Sequence, residues 1–109
     1  MNQVYPKLIA ADAIVLATPG YMELLSGLLK NFLDRTCAIW PRLEGKEAAG
    51  LAVAEEGIGQ TIQNLKTYAS LCKMGWVGSV AALAKTPGEI SRNKNIKSRL
   101  SRLAKKLIL

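Results

Sequence analysis

The chain of 109 residues has no histidine, two cysteines and one phenylalanine. Without histidine a zinc centre would rest on cysteine and carboxylate alone, and Cys37 and Cys72 form no paired ligand spacing. No metal site is expected, and both cysteines read as small buried hydrophobes in a reducing compartment. No apolar run reaches the roughly 20 residues that cross a bilayer, and no secretory signal opens the chain. The expected location is the cytoplasm. Internal repeats and low-complexity linkers are also missing. What is present is a composition half hydrophobic, enough for one modest core, so residues 1–109 are read as one domain.

Ala13 to Ala17 is a continuous apolar run with branched residues at Ile14 and Val15, bounded by Asp12 and by Pro19-Gly20. It reads as a strand covered on both faces, the habit of parallel sheets. Pro19 has no amide hydrogen, so the strand is expected to stop there. Leu24, Leu25, Leu28, Leu29, Phe32 and Leu33 then recur at helical spacing, with Lys30, Asn31, Asp34 and Arg35 on the other side. Ala48 to Ala54 reads as a second strand, and Glu55 to Gln60 as a turn. Ile62, Leu65, Tyr68, Ala69 and Cys72 mark a helix that Gly75 would end. Trp76 to Ala84 reads as a third strand, broken by Thr86-Pro87-Gly88. Strands alternating with helices imply parallel crossovers and an α/β fold. In such sheets ligands lie outside the carboxyl ends of the strands, which makes Thr18 to Met22 the candidate ligand edge.

The stretch ADAIVLATPGYMELLSGLLKNFLDR resembles a segment of the NADPH-dependent FMN reductases and the related iron-sulfur flavoproteins. Pro19, Tyr21, Ser26, Gly27, Lys30, Phe32, Asp34 and Arg35 agree in type and spacing together, and the likeness continues more loosely through Gly45 to Val80. It implies a flavodoxin-like three-layer parallel sheet, of which this chain is the C-terminal portion, with about three strands and their helices. It also implies bound FMN with NAD(P)H as co-substrate, the loop Thr18, Pro19, Gly20, Tyr21 and Met22 wrapping the isoalloxazine ring. The loop after the next strand would approach the same ring through Glu56, Gly57 and Gly59, although Glu55 and Glu56 replace the small or hydroxyl residues usual there. Hydride or electrons pass through the cofactor, so the protein supplies position and electrostatics and no catalytic side chain is named. Lys30 and Asp34 are read as an exposed helical pair.

Members of that family begin with a strand, a phosphate-binding loop, a helix and a second strand, and nothing comparable precedes Met1. Asn2 to Ala11 reads instead as the end of the helix that leads into the family's third strand. In the strand order 2-1-3-4-5 the first strand would lie beside Ala13 to Ala17, leaving an apolar edge that invites pairing. The backbone grip on the FMN phosphate would be absent as well. The expectation is that the chain dimerises through this edge, is a fragment of a longer product, or binds flavin poorly. A homo-oligomer is the expected assembly, and the alternative function is a non-catalytic truncated domain acting in assembly or oligomerisation. The cysteine cluster of the iron-sulfur relatives lies upstream of this loop, so it does not separate the two branches.

The net charge of +7 is distributed unevenly. Residues 1–84 hold seven basic and seven acidic groups, whereas residues 85–109 hold eight basic groups against Glu89. From about Asn93, Ile96, Leu100, Leu103 and Leu107 form one side of this basic segment. It reads as the sheet's last helix with its charges in solvent. A basic amphipathic helix also suits phosphate backbones or an anionic membrane surface, yet no aromatic residue interleaves for base stacking. Nucleic acid is not the expected partner.

Overall fold

The computed structural model describes residues 1–55, 57–86 and 88–108. Three parallel strands form the sheet: β1 (Ala13–Tyr21), β3 (Glu47–Ala54) and β4 (Gly75–Leu83), joined by a two-residue strand β2 (Leu24–Leu25) in the order β2-β1-β3-β4. Helix α1 (Tyr5–Ala10) precedes β1, helices α2 (Gly27–Arg35) and α3 (Gly59–Leu71) lie between strands in the sequence, and α4 (Lys94–Ile108) follows β4. The expected flavodoxin-like α/β architecture is therefore present.

The strands alternate between two helical layers. Leu16 of β1 packs with Leu33 of α2 and Leu65 of α3, while Ala48 of β3 joins Leu43, Ala69, Cys72 and Met74. On the opposite face Ala49, Val80 and Ala82 meet Ile96 and Leu103 of α4. The terminal helix is thus amphipathic and seated on the sheet, as expected from its leucine spacing; Leu100 remains 37% exposed. Asn93 accepts from the Ile96 amide at 3.1 Å and so caps its start.

Several boundaries differ from those expected. The first strand runs through Pro19 to Tyr21 in parallel register with β3, Pro19 opposite Val53. This is allowed because the outer side of β1 is an edge, where a missing amide hydrogen costs no ladder bond. Leu24 and Leu25 are strand, not helix; they pair with Tyr21 and Gly20 in a hairpin. Helix α2 begins only after Ser26, whose hydroxyl accepts from the Leu29 amide at 3.1 Å. Gly75 opens β4 instead of ending α3. That helix closes at Lys73, which takes φ 57 while the Lys73 and Met74 amides donate to Ser70 and Ala69 carbonyls, the Schellman arrangement. Cys72 is buried as expected, but Cys37 is exposed, because it sits in the short 3-10 turn Thr36–Ala38 beyond α2.

Among the described residues, Ala13 to Pro19 have no strand partner on their outer side. Ile14, Leu16 and Thr18 point to the covered layer, whereas Val15, Ala17 and Pro19 are exposed, the last two lining an apolar hollow of about 480 Å³ that reaches Leu51, Ile96 and Leu100. The open edge anticipated for the first strand is thus a feature of this structure.

Candidate functional site

The carboxyl ends of β1 and β3 open together onto a cavity of about 950 Å³, lined by Pro19, Gly20, Tyr21, Met22, Glu23, Val53, Ala54, Glu55, Gly57 and Ala84. Its position follows from the parallel strands, whose ends leave a crevice where the chain departs for the helices. The hairpin wall is anchored from below. Thr18 Oγ1 donates to the Pro19 carbonyl at 2.8 Å and accepts from the Ser26 amide at 3.0 Å, and the Leu25 amide donates to Asn64 Oδ1 of α3 at 3.2 Å. Gly20 is closely backed: a Cβ there would lie 2.9 Å from Thr61 Oγ1. Among the described residues that hydroxyl has no hydrogen-bond partner, although Thr61 is fully buried.

Of the residues singled out from sequence, Pro19, Gly20, Tyr21, Met22 and Gly57 come together here. Thr18 does not line the cavity; its buried side chain fastens the entry to α2. Gly59 begins α3 without lining it, and Glu56 lies outside the described residues. Glu23, Val53, Ala54 and Ala84 also line it and are not among the residues expected from sequence. For Val53 and Ala54 the signal was available, since they end the strand next to β1. For Glu23 it is hidden, because Leu24 and Leu25 fit a helical stripe.

The lining is mostly glycine, proline and small apolar residues, with one aromatic ring, Tyr21, 61% exposed. Such a surface suits the flat face of an aromatic ring, whose polar edge atoms backbone amides can meet. The charged side chains among these lining residues, Glu23 and Glu55, are both acidic. Among the described lining residues a phosphate finds no cation and meets two carboxylates, which disfavour it. The described residues therefore fit the ring of a flavin better than its phosphate.

A second cavity of about 710 Å³ lies between α2 and α3, lined in part by Lys30, Asp34, Thr36, Cys37, Tyr68 and Cys72. Lys30 and Asp34 pair at 2.6 Å on its exposed rim. Deeper, Thr36 Oγ1 donates to the Leu33 carbonyl and shares a 2.6 Å hydrogen bond with the Tyr68 hydroxyl. Burial pushes Tyr68 up to about 12 against the lowering effect of that bond, and burial likewise raises the Cys72 thiol. These groups are held in their neutral forms. No group of three or more metal-ligating side chains occurs among the described residues, and no helix among them is long and apolar enough to cross a membrane.

A mostly parallel sheet between two helical layers, with its crevice at the carboxyl ends of β1 and β3, defines the flavodoxin-like class. The chain is similar over 94% of its length, and over 74% of the other chain, to the Trp repressor binding protein of Bacillus subtilis, at 24% identity and TM-score 0.83. A WrbA-like flavodoxin from Agrobacterium tumefaciens matches 97% of this chain and 74% of its own at 24% identity and TM-score 0.74. General stress protein 14 of Treponema denticola, solved in complex with FMN, matches 96% of this chain and 72% of its own at 13% identity and TM-score 0.77. A family model, NADPH-dependent FMN reductase, matches residues 1–88, and the chain belongs to that family. It is accordingly placed among flavin-dependent oxidoreductases.

Proposed function

We propose that the chain carries FMN with the isoalloxazine ring against Pro19, Gly20, Tyr21 and Met22, and that it takes part in NAD(P)H-dependent reduction through that ring. The observation supporting this most directly is the cavity at the ends of β1 and β3, lined by glycine, proline and small apolar residues and by one exposed tyrosine. When bound, the flavin supplies the hydride and electron chemistry itself. The chain's part is to present Tyr21 to one face of the ring, to offer the Gly20 and Gly57 backbone at close range, and to exclude water with Val53 and Ala84. Family membership favours this reading over a purely structural role in assembly. The terminal helix buries Ile96 and Leu103 on the sheet and leaves most of its basic residues at the surface, which favours a structural account of its charge.

The test is a flavin titration read by quenching of flavin fluorescence, followed by anaerobic addition of NADPH with loss of visible flavin absorbance as the signal. Two or three charge-assisted hydrogen bonds to a phosphate contribute about 1.5–3 kcal/mol each and so separate FMN from riboflavin by more than about 100-fold. Glu23 and Glu55 offer no such contacts, so the 109-residue chain is expected to bind riboflavin and FMN within about threefold of one another. Absence of any flavin binding would remove the proposal, and a strong preference for FMN would place a phosphate grip where the cavity shows none.

A further inference from the structure

The tip of the β1–β2 hairpin is formed by Met22 and Glu23, both in the left-handed region at φ 52 and φ 66. A two-residue hairpin turn with positive φ at both positions normally uses Asn-Gly or a similar pair. A methionine and a glutamate there hold the backbone in a disfavoured state, which persists only when the surroundings impose it. Met22, 93% exposed, supplies no such restraint. Glu23 is exposed as well, yet its side chain has a close neighbour. Its side chain lies against Gly57 so closely that a Cβ on Gly57 would be 2.7 Å from Glu23 Oε1 and 2.8 Å from Glu23 Cγ. Gly57 itself has φ 65, and both residues line the cavity.

Resting on the flavin-binding reading above, we infer that Glu23 is a positioning residue: its side chain, seated on Gly57, latches the strained hairpin tip to the loop after β3 and fixes the two walls of the ring site relative to each other. The site is then built before the ring arrives, which lowers the ordering cost of binding. The arrangement also assigns Gly57 a definite task, since any larger residue there would unseat the carboxylate. Sequence spacing does not show this pairing, because 34 positions separate the two residues.

Glu23→Gly tests the latch, because glycine accepts positive φ and has no side chain to seat. Hydrogen exchange on the flavin-free protein is expected to show the amides of Gly20–Leu25 and Gly57 exchanging at least tenfold faster in this variant. Its melting temperature is expected to hold or rise, as the turn loses strain, while its Kd for FMN rises about tenfold. Glu23→Gln keeps the shape and is expected to stay within threefold of the wild type in both measurements. This split between steady stability and weakened affinity is not the signature of a merely structural residue. Unchanged exchange in Glu23→Gly would overturn the latch, as would a glutamine variant exchanging as fast as the glycine variant. Should the wild-type chain take no flavin, the binding proposal falls while the exchange measurement still decides the latch.

Discussion

Gly20→Ala probes how closely the floor of the cavity is packed on α3. A Cβ at this position would meet Thr61 Oγ1 at 2.9 Å, Ala54 Cβ at 3.1 Å and Ile58 Cγ2 at 3.6 Å. Ala54 belongs to a central strand, and Thr61 is 0% exposed in the first turn of α3, so neither retreats without moving backbone. Forcing one methyl into such a contact costs about 1–3 kcal/mol. Thr61 supplies the control. Thr61→Ala removes the encroaching atom and also an unpaired buried hydroxyl; the desolvation relief of about 1–3 kcal/mol opposes the lost methyl packing, leaving a net effect near zero. In that background the cost of Gly20→Ala is expected to fall by about 1–2 kcal/mol, the coupling ordinary for residues in contact. Thr61→Val keeps the volume, so Gly20→Ala remains as costly there as in the wild type. Urea unfolding of the single and double variants measures all of these terms. Strict additivity between Gly20→Ala and Thr61→Ala, or a Gly20→Ala protein as stable as the wild type, would refute the close approach.

Tyr68 gives a pH prediction. Its folded value of about 12 lies above the ordinary 10.0, so the neutral form is favoured in the fold; that stability is complete below pH 10 and is lost as pH rises through about 12. Solvent screening of the half-buried group limits the effect to the order of 1 kcal/mol, and Tyr68→Phe is expected to flatten this part of the urea-midpoint profile. Ser26→Ala removes the acceptor for the Leu29 amide and is expected to cost about 0.5–2 kcal/mol in thermal unfolding, with Ser26→Asp restoring most of it.

Much of the sheet was legible because its strands are short apolar runs between strong breakers, and the helices because their leucines recur at helical spacing. Sequence and structure part where one residue's role depends on a neighbour outside its own local stretch. Pro19 reads as a stop only if both sides of its strand are paired; here the outer side is open. Leu24 and Leu25 fit a helical stripe equally well, and only pairing with Gly20 and Tyr21 makes them strand. Lys73 ends α3 in a conformation that glycine usually supplies, so the sequence pointed two residues too far, to Gly75. The candidate site was legible on the β1 side through Pro19 to Met22 and on the opposite wall through Gly57. Glu23 was not, since its contact with Gly57 exists only once both loops are folded.

The hairpin beside the cavity is held unequally along its length, and this difference sorts its residues by what their loss should disturb. At the base, Thr18 ties Ser26, Asn64 ties Leu25, and Gly20 lies flush against Thr61 and Ala54. These contacts are buried or nearly so, and breaking them exposes core or strands a polar group, so their loss is paid in global unfolding free energy. At the tip, Met22 and Glu23 reach beyond the paired residues, and they and the neighbouring Tyr21 are exposed, so their removal uncovers little core. What the tip controls is the shape of the opening. Substitutions at 18, 20 and 26 are therefore expected to move unfolding midpoints, and those at 21 and 57, with loss of the side chain at 23, to move flavin affinity, because a ring placed between the two loops depends on walls whose positions the core does not set.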